Sequence, residues 1–160
     1  MHGYSNVPRR LPVGIDAVSI GSEPVWLATQ VDDPMAVDGV ELAAFAGRSW
    51  LTLVRPLTCY EMVDRACGLA GFRPTVVAET VDFSVQLQLV HAGVGVALVP
   101  DLAVGTVPAG VALVRPAQRL ERHLFAATRA GQIRDPGIVR LVDALRTAMS
   151  ARATTIGARR

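Results

Sequence analysis

The sequence predicts an α/β fold, a mainly parallel sheet flanked by helices, and three observations carry that expectation. Val94-Gly-Val-Ala-Leu-Val99 is a continuous apolar run closed by Pro100, the pattern of a strand buried on both faces under helices. Directly before it, Phe83, Leu87 and Val90 fall at i, i+4 and i+7, one face of a helix. Strand-like and helix-like segments then alternate along most of the chain, as crossover connections between parallel strands require.

Taken in order, Met1 to Gly14 shows no periodicity and carries Gly, Pro, Ser and Asn, which predicts a mobile arm. Asp16 to Ile20 predicts a short strand, Gly21-Ser-Glu-Pro24 a turn, and Pro24 to Val31 a second strand broken by Asp32-Asp-Pro-Met-Ala36. Val40 to Ala46 predicts a short helix ending at Gly47, and Ser49-Trp-Leu-Thr-Leu-Val54 the next strand. Thr58-Cys-Tyr-Glu61 has the spacing of a capping box at a helix start. Val63, Ala66, Cys67 and Ala70 give that helix an apolar face, Glu61 and Arg65 a well-oriented i, i+4 pair, and Gly71 and Pro74 its stop.

Thr75 to Glu79 predicts a strand. Asp82 is placed to cap the helix that follows, and Gly93 to end it. After Pro100, Asp101 to Val104 predicts a turn or short helix, and Val111–Val114 and Leu124–Thr128 predict strands. Asp135-Pro-Gly supplies an N-cap with proline at the first helical position. Ile138, Leu141, Val142, Leu145 and Met149 form the apolar stripe of a last amphipathic helix.

Composition narrows the class. Hydrophobic residues make up 51% of 160 and mean hydropathy is +0.35, enough for a sizeable core. The longest apolar run, Ala92 to Pro100, falls well short of the roughly 20 residues of a membrane helix. No signal peptide opens the chain, so a cytoplasmic protein is expected. All 16 basic residues are arginine. Residues 11–150 keep eleven of them against all 14 acidic residues, a net charge of −3. The basic pI near 8.9 therefore comes from the two ends, and the body is a poor electrostatic partner for DNA.

Four segments resemble one known family. Leu89-Val-His-Ala-Gly-Val-Gly-Val-Ala-Leu-Val-Pro100 is similar to the helix–turn–strand signature of the effector-binding domain of LysR-type transcriptional regulators. Pro34-Met-Ala36 stands where that family usually shows His-Pro-Leu-Ala, with Asp33 in place of the histidine. Cys67-Gly-Leu-Ala-Gly-Phe-Arg-Pro74 resembles its small-residue-Ala-Gly-Phe-x-Pro segment. Arg122 to Arg129, followed by a proline-started helix through Asp143-Ala-Leu-Arg146, resembles its close.

The resemblance runs in consistent order from about Ser22 to Ala148. It implies a periplasmic-binding-protein type II-like lobe with a partial second lobe. Residues 1–21 are then an arm with a short strand, 22–108 lobe II, 109–150 the returning part of lobe I, and 151–160 a basic tail. No winged helix-turn-helix, linker helix or first part of lobe I is recognised in this sequence.

Little in the sequence points to catalysis. Gly93-Val-Gly95 lies after a helix and before a strand, the reverse of a dinucleotide loop. Ser84 is not in a G-x-S-x-G elbow. Cys59, Cys67, His2, His91 and His123 do not have metal-ligand spacing, so no metal or cofactor is expected and the thiols are expected buried and reduced. His91 is expected on the helix surface or in a satisfied core position, and Trp26 and Trp50 on strand faces.

The candidate sites are the two helix starts. Each follows a strand, where an open α/β sheet binds ligands outside its carboxyl ends and free N–H groups suit an anion. The resemblance places Arg55, Thr58, Asp82, Phe83 and Ser84 on the lobe II wall of an effector cleft, with a small molecule, such as a small carboxylate, as ligand. It implies a ligand-sensing domain without enzymatic activity, as a homo-oligomer or paired with a full-length relative. The alternative is a non-sensing interaction fragment that dimerises with an intact LysR-type relative.

Overall fold

The computed structural model describes the backbone of residues 11–157 and the side-chain surroundings of residues 11–152. Residues 1–10 and 158–160 lie outside that range, and with them most of the predicted arm and the end of the basic tail. The described chain forms two units. One comprises residues 24–120, the other residues 11–23 together with 121–157. The chain passes between them twice, at Glu23–Pro24 and at Leu120–Glu121.

In the first unit the sheet runs β3-β2-β4-β1-β5, formed by β1 (Ile15–Gln30), β2 (Ser49–Leu53), β3 (Thr75–Thr80), β4 (Val96–Pro100) and β5 (Val111–Val114). Strand β2 is parallel to both β3 and β4, whereas β1 is antiparallel to β4 and β5. Helix α1 (Thr58–Leu69) connects β2 to β3, and α2 (Phe83–His91) connects β3 to β4. Every residue of β4 is buried, as its unbroken apolar run predicts.

Alternation along the strands divides the core in two. Val25, Leu27, Trp50, Val96 and Leu98 pack with Met62, Val63, Ala66 and Cys67 of α1. Ala28, Leu51, Ala97 and Val99 pack with Leu87 and Val90 of α2. Trp50 is fully buried and donates its indole N–H to the Phe45 carbonyl at 3.1 Å.

Three local expectations are corrected. No turn interrupts β1: the strand runs unbroken from Ile15 to Gln30. The turn-like residues at 21–24 serve other ends. Gly21 has φ +150°, and a Cβ there would come within 3.3 Å of the Met149 Cβ. The side chain of Glu23 is buried in an ion pair with Arg122.

The helix expected over Val40–Ala46 is a single 3-10 turn, Leu42–Phe45. Val40 is engaged in a bridge to Pro116, its carbonyl accepts from Ala117 N–H, and the Leu42 N–H is taken by Gln118 Oε1. Helix α1 begins at Thr58, but without the capping box. Leu57 is the N-cap, no side chain caps the helix, and the Leu57 carbonyl accepts from Tyr60 N–H.

In the second unit β6 (Glu121–Arg129) pairs with β1, and α3 (Pro136–Gly157) follows. Asp135 caps α3 as expected, Oδ1 accepting from the N–H groups of Gly137 at 2.8 Å and Ile138 at 3.3 Å. Arg122 grips Glu23 through Nε at 2.6 Å and Nη2 at 2.5 Å. Of the predicted apolar stripe, Val142 is buried, whereas Leu141 is 60% and Leu145 38% exposed. Among the described residues no helix is long and apolar enough to cross a membrane.

Candidate functional site

The carboxyl ends of three parallel strands form one edge of the first unit. Leu53, the last residue of β2, is paired with Thr80, the last of β3, and the Val54 N–H donates to the Thr80 carbonyl at 2.8 Å. Pairing of Leu51 with Ala97 aligns β4 with them, so that Pro100 and Asp101 emerge at the same edge. Helices α1 and α2 both start there. The five residues predicted for the site are thus drawn from two loops that the β2–β3 pairing holds side by side.

Arg55 is exposed in the β2–α1 loop, its guanidinium 4.4 Å from the centre of the Tyr60 ring. Thr58 is exposed as the first residue of α1. Asp82 is the N-cap of α2, its Oδ1 accepting from the Ser84 N–H at 2.6 Å. Hydrogen bonds from the Ser84 side chain and backbone hold the Asp82 carboxyl below its ordinary range. Phe83 is half-buried against the α2-side core, while Ser84 is exposed.

The structure adds residues that no local motif signals. Trp26, on β1 opposite Val99, donates its indole N–H to Asp101 Oδ1 at 3.1 Å. The guanidinium of Arg115, one residue past β5, lies 4.8 Å from the centre of the Trp26 ring. Val114 is paired with Leu27, which brings Arg115 to the same edge. Trp26 therefore does more than pack on a strand face. Among the described residues two side-chain oxygens, Thr52 Oγ1 on β2 and Gln86 Oε1 on α2, are buried without a hydrogen-bond partner.

His91 is exposed at the end of α2, as expected of a helix-surface residue. Cys59 and Cys67 are both buried, and neither is in a disulfide. Burial, with a smaller contribution from Asp64, pushes the Cys67 thiol up to about 12. Among the described residues no cluster of three or more His, Cys, Asp or Glu could hold a metal ion.

A mixed α/β lobe with two helix starts at the carboxyl ends of its parallel strands is the architecture of a small-ligand-binding module. The sequence matches the LysR substrate binding domain over residues 6–150, and the chain belongs to that family. A malonate utilization transcriptional regulator of Klebsiella pneumoniae is 29% identical over 86 residues, covering 53% of this chain and 28% of that one. A mutant of Corynebacterium glutamicum OxyR superposes with a TM-score of 0.77 at 20% identity, over 90% of this chain and 48% of that one. The regulatory domain of Synechocystis CcmR, solved in complex with 2-PG, gives 0.73 at 13% identity over 88% and 70%. The chain spans about half the length of the OxyR structure and less of the Klebsiella regulator.

Proposed function

We propose that the first unit is a lobe that binds the small-molecule effector of a LysR-type transcriptional regulator, with Arg55, Thr58, Asp82, Phe83 and Ser84 forming its wall. The observation that carries this reading is the pairing of Leu53 with Thr80, which places the starts of α1 and α2 next to each other at one edge. An exposed arginine, Arg55, beside two helix starts favours an anionic ligand. One oxygen of the Asp82 carboxylate is engaged as a cap on the Ser84 N–H. A small carboxylate is the ligand class these groups fit. The Klebsiella relative, named for malonate utilisation, and the CcmR domain, solved with 2-PG, support a small ligand for this chain as well. Following the family resemblance, the chain works as a homo-oligomer or alongside a full-length relative.

Calorimetric titration with small carboxylates tests the wall. Thr58 and Ser84 are both exposed, so replacing both with alanine should leave the thermal midpoint nearly unchanged. Each hydrogen bond lost to the ligand should weaken binding by about 1 kcal/mol, more where the partner is charged. Tight carboxylate binding that the double substitution leaves intact would overturn the assignment.

A further inference from the structure

The Arg115–Trp26–Asp101 group lies outside the two helix starts, and its geometry needs explaining. Arg115 is half-buried, yet among the described residues its guanidinium makes no ion pair. Two carboxylates stand in its neighbourhood, and each has another donor. Asp38 Oδ1 accepts from Arg115's own backbone N–H at 2.7 Å, and Asp101 Oδ1 accepts the Trp26 indole N–H at 3.1 Å. What holds the guanidinium is the face of the indole, 4.8 Å away. A stacked guanidinium leaves the N–H groups around its rim free to donate in its own plane, the geometry that grips a carboxylate with two bonds. Trp26 is fixed in turn by Asp101, which is 8% exposed. The stacking surface is therefore held in place before any ligand arrives.

Arg55 repeats the arrangement at the other end of the edge. It rests over Tyr60 at 4.4 Å and likewise makes no ion pair among the described residues. The sheet order puts β5 three positions from β2, about 14 Å at the usual strand spacing. The two arginines thus stand at the same edge, on either side of the end of β4.

We propose that Arg115, stacked on Trp26, is an anion-binding residue of this edge, and that together with Arg55 it selects ligands carrying two acidic groups over ligands carrying one. This rests on the reading of the edge as a small-carboxylate site. The two arginines supply one cation for each acidic group. A monoacid leaves one of them unused, and the diacid gains the second contact.

The test is titration of the 160-residue chain with succinate and with butyrate, which share a four-carbon backbone and differ in the second carboxylate. Succinate should bind at least tenfold more tightly. Arg115→Ala should erase that advantage, bringing succinate down to the level of butyrate. Arg115→Lys keeps the charge without the stacked fork and should restore part of the preference. Succinate, but not butyrate, should also perturb the fluorescence of Trp26, read in a Trp50→Phe background. If the chain binds both acids equally, or if Arg115→Ala weakens both by the same factor, the selectivity idea is overturned while the carboxylate site stands. If neither acid binds, both fall.

Discussion

Asp82 and Cys67 show how a single titratable group records its surroundings. Asp82 accepts hydrogen bonds from Ser84 that favour its charged form, so its folded pKa lies below the ordinary 3.8. A carboxyl depressed in the folded state contributes stability above its unfolded pKa and loses it as pH falls through the folded value. Asp82→Ala should therefore lower the unfolding midpoint at pH 7, and the gap from the parent should close below pH 3.8. Chemical denaturation across pH 2.5 to 7 checks this; a gap that stays constant would remove the cap from the account.

Cys67 shifts the other way. Burial first, and Asp64 second, disfavour its thiolate and raise the pKa from 9.0 to about 12. Because the folded pKa is raised, the stabilisation is complete below pH 9.0 and is lost as pH climbs toward 12. Reaction with a thiol reagent at pH 8 should be slow in the folded chain and become fast only on unfolding. Rapid labelling of Cys67 in native conditions would mean that the α1 face of the core is open.

At the scale of elements, the ion pair between β1 and β6 carries the clearest energetic consequence. Glu23 is 3% exposed, and Arg122 reaches it through two nitrogens. Arg122→Ala strips a buried carboxylate of its guanidinium, a change that costs about 3 kcal/mol or more when the charge stays behind. Replacing both residues with apolar side chains of similar volume should recover most of the loss. Urea unfolding of the single and double variants measures both. A single variant as stable as the parent would show that the pair contributes nothing.

The same scale shows why element boundaries were partly legible. α2 was readable because Asp82, Phe83, Leu87, Val90 and Gly93 act locally, through capping, periodicity and a left-handed glycine at φ +74°. The helix over Val40–Ala46 was not, because Gln118 and Pro116, distant in sequence, compete for its backbone groups.

For the molecule as a whole, charge placement and element order bear on nucleic acid. Residues 11–150 carry a net charge of −3, and among the described residues no two α-helices follow each other without a strand or a 3-10 turn between. Specific DNA binding depends on several cationic phosphate contacts and a recognition element. The 160-residue chain should accordingly show only weak, sequence-independent retention, abolished by moderate salt. A sequence-specific mobility shift that survives physiological salt would contradict this.

The sequence by itself determined the fold class, because strand burial, helical periodicity and capping are local patterns a few residues long. It also determined the family and the two helix starts, since Arg55, Thr58 and Asp82–Ser84 each follow a strand in the chain. Tertiary structure alone decided which loops share an edge, since strand order depends on pairings such as Leu53 with Thr80 that leave no trace in spacing. It decided that β1 continues through Gly21–Pro24, because the reasons lie in Met149 and Arg122. And it alone brought Arg115 over Trp26 and Trp26 onto Asp101, contacts between strands distant in sequence that only the closed sheet makes neighbours.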